Sequence, residues 1–336
     1  MNNDKRSSSN LQSPIPSPQS LIPDPRSLIP NPQSLAVVIV SWNVRDLLAR
    51  CLDSLFRDLD ESGVDARVLV VDNASTDGSV EMIRAKFPRV ELIASEQNLG
   101  FAGGNNAGLK ALGFRDSALP HAPFTLLLNP DIEIQSGAIK SMLDFIQANP
   151  KIAVVTSQLS YGDGSFQHSA FHFPGLAQLY MELFPYPARW YDSRLHGRYS
   201  RKLYASSKPF EIDHPLGAVM LVRSEAIEQC GLMDDESFAL YCEEVDWCAR
   251  FSEAGWKNYC IPIAQVVHHS GQSTSQVRVE SFEKLWRARY RLHTKHPRFA
   301  PMWLARLIVI AGMKRKMRGA SIEMRAACER IVDLWR

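Results

Sequence analysis

The chain has 336 residues and a formal net charge of +2, from 38 basic and 36 acidic residues, so bulk charge gives no reason to expect a nucleic-acid partner. Hydrophobic residues make up 45% of the sequence, enough to bury the core of one large domain or two smaller ones. No apolar run approaches the ~18 residues of a membrane-spanning helix, and no secretory signal pattern is present, so we expect a cytoplasmic protein. The six cysteines include no C-x-x-C pair and are predicted to be free thiols.

The first 34 residues contain a proline-rich heptad three times, as SPIPSPQ, SLIPDPR and SLIPNPQ. Proline lacks a main-chain N–H and fixes φ, so its recurrence blocks both helix and sheet. We therefore predict a disordered arm over residues 1–34. Such an arm is either a proline-rich docking peptide or a start without function, and the sequence leaves both open.

From residue 36 onward, short β-branched runs alternate with amphipathic segments. The predicted strands cover residues 36–41, 67–71, 90–94, 124–128 and 153–157. The predicted helices between them cover residues 47–59, 80–87, 105–112 and 139–147. This alternation predicts an α/β, Rossmann-like fold in which helices flank a mostly parallel central sheet. The turn after the first strand contains neither the dinucleotide fingerprint nor the P-loop, which excludes both classes of nucleotide site at that position.

The second half of the chain is less regular. Residues 160–210 are rich in Tyr, Pro, His and Arg with weak periodicity, which predicts a surface insertion. The elements predicted after it are a strand at 219–222, a helix from Ser224, a helix at about 244–254, a strand at 259–263 and an amphipathic helical tail from Ser281. We expect one domain over 35–275, divided near 158 into a nucleotide-binding half and an acceptor-binding half, and a helical extension over 276–336.

Polar groups follow each of the first four predicted strands, at the sheet edge where α/β proteins bind ligands. They are Ser41, Trp42 and Asn43, then Asp72 and Asn73, then Asn98 and Gly100, then Asn129 and Asp131. The segment DNASTDGS after the second strand is either a turn that begins a helix near Ser79 or a ligand-binding loop. The glycines of NLGFAGGNN either supply positive φ angles to a tight loop or let main-chain amides approach a diphosphate.

The sequence LLLNPD places polar side chains at the mouth of an apolar strand, where they cost free energy unless something compensates them. Pro130 ends the strand and fixes the turn, so the short side chains of Asn129 and Asp131 point the same way. A divalent cation that bridges a diphosphate suits such hard oxygen ligands. We therefore predict a metal site at this turn.

Acidic and histidine residues in the second half complete the set of candidates. Glu243, Glu244 and Asp246 lie in the first turn of a predicted helix, where Asp246 can pair with Arg250. Neighbouring carboxylates repel one another and so raise the pKa of one of them, which suits a general base. The pair at 268 and 269 follows a strand, and one of these histidines is either a metal ligand or a structural residue.

The order of motifs resembles family 2 glycosyltransferases with the GT-A fold, and most closely their rhamnosyltransferase-like branch. The resemblance runs from about Ala36 to about Thr274. It rests on VVIVSWN, VLVVDNASTDGS, NLGFAGGNNAG, LLLNPD, GAVMLVR, YCEEVDWCAR and VVHHSGQST in this order.

The resemblance implies a role for each candidate. Asp72 matches the residue that binds the nucleobase, and Asn98 and Gly100 match the nucleotide-sugar loop. The other residues expected at the nucleotide sugar are Ser41, Trp42, Asn43, Asn73 and Asn129. Asp131 matches the principal ligand of Mg²⁺ or Mn²⁺, with Asn129 in place of the first aspartate of a D-x-D motif. His268 matches a histidine that completes the metal site.

The implied activity is an inverting transfer of a sugar to a hydroxyl of a glycan or polyprenyl-linked acceptor in cell-surface polysaccharide synthesis. The family's general base falls at Glu244, although the longer side chain here leaves Glu243 as an alternative. The donor is a dTDP-, UDP- or GDP-linked sugar, with rhamnose suggested by the branch. A non-catalytic nucleotide-sugar or glycan-binding protein is disfavoured by the acidic residues at 131 and 243–244. A sugar nucleotidyltransferase is disfavoured because the first strand is not followed by a glycine-rich loop.

The C-terminal tail has an open interpretation. Apolar residues from Trp303 to Ile310 precede the basic residues Lys314, Arg315, Lys316 and Arg318. Such a segment either lies in a membrane surface, as suits a lipid-linked acceptor, or packs on the catalytic domain with a solvated basic end.

Overall fold

The computed structural model describes residues 34–115, 121–269 and 278–336. The predicted arm lies outside these residues except for Ser34, as does the end of the VVHHSGQST motif.

The strands are β1 (Leu35–Ser41), β2 (Ala66–Asp72), β3 (Val90–Ala94), β4 (Phe124–Leu128), β5 (Ile132–Ile134), β6 (Ile152–Tyr161), β7 (Phe166–Gln167), β8 (Ala170–Phe171), β9 (Phe210–Ile212), β10 (His214–Pro215), β11 (Val219–Arg223) and β12 (Lys257–His268). The helices are α1 (Arg45–Ser62), α2 (Ser79–Lys86), α3 (Gly100–Ala111), α4 (Ala138–Ala148), α5 (Leu176–Leu183), α6 (Arg201–Ala205), α7 (Ser224–Cys230), α8 (Glu243–Glu253), α9 (Arg278–Lys295), α10 (Met302–Lys316) and α11 (Ile322–Trp335). Short 3₁₀ helices lie at Ala188–Trp190 and Arg194–His196.

The central sheet has the strand order β3-β2-β1-β4-β11-β6-β12-β5. Strands β3, β2, β1 and β4 are mutually parallel, as are β6 and β12, which confirms the predicted α/β architecture. Strand β11 lies antiparallel between these two groups, with Val219 opposite Leu128. Short β5 pairs antiparallel with the end of β12 at the far edge. The chain therefore leaves β4 near the centre of the sheet and re-enters it at the edge.

Both faces of the sheet are covered by helices. One face of β1, with Leu35, Val37 and Ile39, packs against α1 and α4. The opposite face of β1 packs against α3 and α8. All seven residues of β1 are buried, as is typical of a parallel strand between two helical layers.

The glycines of the NLGFAGGNNAG motif lie inside a helix, not in a loop before a helix at residue 105 as the sequence predicted. A Cβ on Gly104 would lie 2.6 Å from the Val40 side chain, and one on Gly108 would lie 2.5 Å from Val38. These glycines let α3 approach β1 more closely than any other residue would permit. Among the glycines of this motif, only Gly100, the first residue of α3, has a positive φ, of 74°.

The predicted surface insertion at 160–210 is wrong in one respect, because part of it is core. Leu179 and Leu183 of α5 are buried with Trp286, Val309 and Trp335 of the C-terminal helices. Weak periodicity hid this packing, since α5 has only eight residues. The division expected near residue 158 falls within the continuous strand β6. Among the described helices, none has the length and apolar character needed to cross a bilayer.

Candidate active site

A cavity of about 880 Å³ opens at the carboxyl ends of β1 and β4. Eight of the predicted site residues line it, namely Ser41, Trp42, Asn73, Asn98, Gly100, Asn129, Asp131 and His268. Asn43, Asp72, Glu243 and Glu244 lie outside this lining, and their positions are described below. The site thus collects residues from the ends of several separate elements.

The ends of β1 and β2 lie side by side, with Ser41 paired in register to Asp72. Asp72 is 1% exposed, and its Oδ2 accepts a hydrogen bond from the Ser75 N–H at 2.9 Å. Its Oδ1 and the Ser41 hydroxyl are buried without a hydrogen-bond partner among the described residues. Buried polar atoms are rarely left in this state, so these two are candidates for contact with a ligand.

The DNASTDGS segment has the first of the two roles that the sequence left open, because it begins a helix. Asp77 accepts hydrogen bonds from the main-chain N–H groups of Arg45 and Ser79, the first residues of α1 and α2. The Asn43 side chain is also structural, since its Oδ1 accepts from the Thr76 N–H at 2.8 Å. Asn43 therefore joins the loop after β1 to the loop after β2. The buried side-chain oxygens without a partner in DNASTDGS belong to its first two residues, Asp72 and Asn73.

The start of α3 is fixed by contacts on both sides. The Asn98 Oδ1 accepts from the Gly100 N–H at 2.9 Å, and the Gly100 oxygen accepts from the Asn73 side chain at 2.9 Å. The Phe101 N–H donates to the Ala239 oxygen at 2.9 Å. A Cβ on Gly100 would lie 2.5 Å from that same oxygen, so both the positive φ and the close approach require glycine.

Asp131 and His268 meet because β5 pairs with the end of β12. Pro130 follows β4, and the chain then crosses to the sheet edge, where Ile132 lies opposite His268. The His268 Nε2 is 3.4 Å from Asp131 Oδ1. His268 Nδ1 lies 3.1 Å from Gln167 Oε1. If Nδ1 carries the proton donated to Gln167, Nε2 presents a lone pair toward Asp131.

His269 has a structural role instead. Its main-chain N–H donates to the main-chain carbonyl oxygen of Asp131 at 2.9 Å, and its side-chain Nε2 lies 2.8 Å from Glu133 Oε1. Of the two adjacent histidines, only His268 lines the cavity. His268 is therefore the histidine of this pair that remains a candidate ligand.

The residues at this turn fit a divalent cation. The Oδ1 atoms of Asn129 and Asp131 are both buried and make no hydrogen bond within the described residues. No three His, Cys, Asp or Glu side chains converge on one point in the described parts of the chain. A cation held here would meet the Asp131 carboxylate and the His268 imidazole, with the Asn129 amide oxygen as a neutral candidate, and would leave positions for a diphosphate and water.

Glu244 lies beside the cavity, at the start of α8. A Cβ on Gly217 would be 3.7 Å from Glu244 Cγ and 3.8 Å from the ring of Phe101, which lines the cavity. Burial raises the pKa of Glu244 to about 7, although the side chain stays partly exposed. That pKa suits a group that accepts a proton near neutral pH.

Glu243 is more deeply buried, at 5% exposure, and its Oε2 has no hydrogen-bond partner among the described residues. Burial, and then the charge of Glu244, raise the pKa of Glu243 well above its usual range. The two residues before α8, Tyr241 and Cys242, have φ of 72° and 67°. Successive non-glycine residues in this conformation are strained, which is a feature of functional sites.

Asp246, the third carboxylate of this turn, is structural. Its pairing with Arg250, predicted from the sequence, is confirmed at 2.9 Å. Lys295 Nζ and His296 Nε2 each lie 2.8 Å from its Oδ1. Against the effect of burial, the hydrogen bonds from His296 and Lys295 lower the pKa of Asp246 to about 2.

Helix α9 forms one wall of the cavity, and this wall was not expected from the sequence. Residues of this helix that line the cavity are Glu280, Ser281, Lys284, Arg287, Ala288 and Arg291. The sequence does contain a pattern that indicates a basic helix face, because Lys284, Arg287 and Arg291 recur at helical spacing. It was overlooked because the resemblance ended before α9.

Solved structures of glycosyltransferases share this fold. GalNAc-T7 with UDP, GalNAc and Mn²⁺ superposes with a TM-score of 0.51 at 16% identity, over 71% of this chain and 43% of that one. The mannosyltransferase PcManGT of Pyrobaculum calidifontis, in complex with GDP-Man and Mn²⁺, gives a TM-score of 0.52 at 14% identity, over 90% and 80% of the chains. The fold is that of the GT-A glycosyltransferases, as the sequence predicted.

Sequence comparison identifies the family. The model of glycosyl transferase family 2 matches residues 36–231. An N-acetylglucosaminyl-diphospho-decaprenol L-rhamnosyltransferase of Mycobacterium tuberculosis is 30% identical over 72% of this chain and 78% of its own length. The low-salt glycan biosynthesis hexosyltransferase Agl10 of Haloferax volcanii is 25% identical over 74% and 70%. The chain belongs to glycosyltransferase family 2 and is an enzyme of this class.

Proposed function

We propose that this glycosyltransferase moves rhamnose from a nucleoside diphosphate to a hydroxyl of a lipid-linked glycan, with inversion at the anomeric carbon. The observation that carries the proposal is the meeting of Asp131 and His268 in a cavity whose neighbouring helix begins with a carboxyl group of raised pKa. The rhamnosyl donor is supported by the similarity to the mycobacterial rhamnosyltransferase. Its dTDP form is the first donor to test, ahead of UDP- and GDP-sugars.

The donor would occupy the cavity between β1 and α3. Asp72 Oδ1 and the Ser41 hydroxyl are buried without partners, and they suit the polar edge of a nucleobase. Trp42 and Asn73 line the same space, and Asn98 and Gly100 shape the start of α3 beside it. Contact between the base and these groups would compensate polar atoms that are otherwise costly to bury.

Asp131 and His268 would hold Mg²⁺ or Mn²⁺, with the Asn129 amide oxygen as a neutral neighbour. When bound, such an ion neutralises the charge that develops on the leaving diphosphate. Among the described residues, Asp131 and His268 are the titratable groups proposed as ligands here, so the diphosphate would supply further oxygen ligands. We infer that metal and sugar nucleotide bind together rather than in sequence.

Glu244 is proposed as the general base. Its carboxylate removes the proton from the acceptor hydroxyl, whose oxygen forms a bond to the anomeric carbon as the bond to the diphosphate oxygen breaks. Attack opposite the leaving group inverts the configuration in one displacement. Glu243 is more deeply buried, and burial raises the pKa of its carboxyl well above the usual range, so this group is less available as a base at neutral pH.

The acceptor is proposed to be a sugar on a polyprenyl carrier, as in the name of the mycobacterial relative. Peripheral contact with the inner face of the cell membrane follows from such a carrier. Helix α10 offers a surface for it, since Trp303 and Leu307 are 65% and 59% exposed and Lys314 and Arg315 follow on the same helix. Exposed aromatic and apolar residues next to basic ones suit the interface of an anionic bilayer.

The test is release of nucleoside diphosphate from dTDP-rhamnose, UDP-sugars and GDP-sugars, with an N-acetylglucosaminyl diphospholipid acceptor and with or without EDTA. We expect acceptor-dependent release that EDTA abolishes and Mn²⁺ restores. NMR of the product should show the anomeric configuration opposite to that of the donor. Retained configuration, or release that is insensitive to EDTA, would contradict the mechanism.

A further inference from the structure

Helix α9 gives the cavity a cationic wall. Lys284, Arg287 and Arg291 line the cavity from positions on one side of the helix. The carboxylates nearest to them do not balance their charge. Glu283 is shared, because it pairs with both Arg287 and Arg330 at 2.8 and 2.7 Å. Glu280, which is 70% exposed, is 4.0 Å from Lys284.

Arg291 bonds to a main-chain oxygen rather than to a carboxylate. Its Nη1 donates to the Ser237 oxygen at 2.7 Å, and it forms no ion pair within the parts of the chain that the structure describes. A carbonyl partner leaves the full positive charge of the guanidinium in place. The wall therefore carries an excess of positive charge toward the cavity, which suits an anionic ligand.

The position of this wall is next to the proposed base. Ala288 and Leu292 of α9 share a hydrophobic core with Phe238, Cys242 and Val245, which flank the start of α8. Glu243 and Glu244 lie between the last two of these residues in the sequence. The acceptor hydroxyl must approach Glu244, so groups on α9 are beside the acceptor. The diphosphate of the donor is assigned instead to Asp131 and His268.

We propose that Lys284, Arg287 and Arg291 bind the phosphate groups that join the acceptor sugar to its carrier, an inference that rests on the proposed function. Lysine and arginine are the usual partners of phosphate, and arginine can bind it through two N–H groups at once. The enzyme would thereby select sugars on a phosphate or diphosphate linkage over the same sugars on a neutral one. Lys284 is the most sensitive probe, because its only ion pair in the described structure is the long one to Glu280.

The experiment compares one acceptor sugar on two aglycones, an alkyl diphosphate and a neutral alkyl chain of equal length. The readout is the ratio of kcat/KM for the charged acceptor to kcat/KM for the neutral one, because this ratio cancels a general loss of activity. We expect Lys284→Ala to lower the ratio by about threefold to fivefold, as for one partly exposed charged contact, and Lys284→Glu to lower it further. Arg325→Ala removes a basic side chain of α11 that does not line the cavity, and it should keep the wild-type ratio.

An unchanged ratio in Lys284→Glu overturns the proposal. A rise in donor KM with an unchanged ratio also overturns it, by assigning the cations to the donor diphosphate. Titration calorimetry with the alkyl diphosphate, in EDTA, separates the site from the activity. Wild-type protein that binds this ligand more tightly than Lys284→Glu, yet releases no nucleoside diphosphate from any donor, would support the site and contradict the proposed function. Equal binding by both proteins would contradict the site.

Discussion

His296 and Asp246 form a buried hydrogen bond of 2.8 Å that ties the end of α9 to the first turn of α8. Both side chains are almost fully buried, at 4% and 0% exposure. Arg250 and Lys295 also contact the Asp246 carboxylate. The helix that begins with the proposed base is thereby fixed against the helix that forms the cationic wall.

Replacing Asp246 by Asn should destabilise the protein at pH 7 by about 2 to 3 kcal/mol, the value of a pKa lowered from 3.8 to about 2. The folded-state pKa is below the unfolded value, so this stability is present above about pH 4 and is lost as pH falls toward 2. Urea unfolding of both proteins at pH 7 and pH 3 measures the difference. The difference in free energy of unfolding between wild type and Asp246→Asn should be smaller at pH 3 than at pH 7. The control Asp144→Asn, which removes an exposed ion pair with Lys140, should change this free energy very little at either pH.

Glu244→Gln should abolish transfer, and the wild-type kcat/KM should rise with pH up to about 7 and then level off, because the base acts in its ionised form. Glu236→Gln, on an exposed carboxyl just before this segment, is the matched control and should keep activity. Steady-state kinetics between pH 5 and 9 measures both effects. A pH profile that stays flat across 7 would count against Glu244 as the base.

The same carboxyl should lower stability at high pH. A folded-state pKa raised from 4.5 to about 7 means that the ionised form is disfavoured in the fold, so stability is lost as pH rises from about 4.5 to 7. Thermal unfolding should therefore show Glu244→Gln with a higher Tm than wild type at pH 8 and a similar Tm at pH 4. Equal differences at the two pH values would contradict the raised pKa.

Asp131→Ala and His268→Ala should each weaken Mn²⁺ binding measured in the presence of nucleoside diphosphate, by at least about tenfold. His269→Ala is a demanding control, since His269 is adjacent in sequence but pairs with Glu133 outside the cavity. Electron paramagnetic resonance of free Mn²⁺ gives the affinity without a need for turnover. If His269→Ala lost the metal and His268→Ala kept it, the assignment of the two histidines would be reversed.

Gly104→Ala should destabilise the protein by about 1 to 3 kcal/mol, because its Cβ would lie 2.6 Å from Val40. In a Val40→Ala background this clash is gone and only the 3.3 Å approach to Asn73 Nδ2 remains, so the same change should cost less than about 1 kcal/mol, offset by the higher helix propensity of alanine. Urea unfolding of the four proteins in this double-mutant cycle gives the coupling energy. Additive effects would show that α3 does not depend on close contact with β1.

Trp303→Ser with Leu307→Ser should reduce co-sedimentation with vesicles that contain anionic phospholipid, because both side chains are exposed on α10, whose last turn carries Lys314, Arg315 and Lys316. Ile322→Ser is the control, since Ile322 is an apolar residue of α11 that is 90% exposed. Unaltered sedimentation of the double variant would leave α10 without a membrane role. Activity on a short-chain water-soluble acceptor should be unaffected by these changes.

Local pattern was sufficient to predict most of the fold. Strands Val90–Ala94 and Phe124–Leu128 were predicted at their observed limits. Phe124–Leu128 is buried throughout and forms a continuous apolar run, as is typical of a central strand. Val90–Ala94 is a partly exposed edge strand. The position of β11 was not predictable in the same way. Its own residues indicate a strand, but its antiparallel place between β4 and β6 depends on pairing between segments far apart in sequence.

In the candidate site, too, single residues could be predicted from local sequence, whereas their proximity could not. Asp131 and His268 were chosen separately, one from an energetic oddity after β4 and the other from its place after β12, and their 3.4 Å approach depends on the pairing of β5 with β12. Lys284 and its neighbours on α9 were not recognised, because surface basic residues on a helix are common and only the fold places these against the cavity. Periodicity identifies a helix face but does not say what it faces.

The wall formed by α9 bears on how the enzyme is made. Residues 36–231, the part that the family model matches, emerge from the ribosome before α8, His268 and α9 have been synthesised. A nascent chain of that length can build β1, β2, β3 and β4 but has neither the proposed base nor the wall. We therefore expect catalytic competence to be acquired late in translation, and a chain that ends before α8 to lack transfer activity.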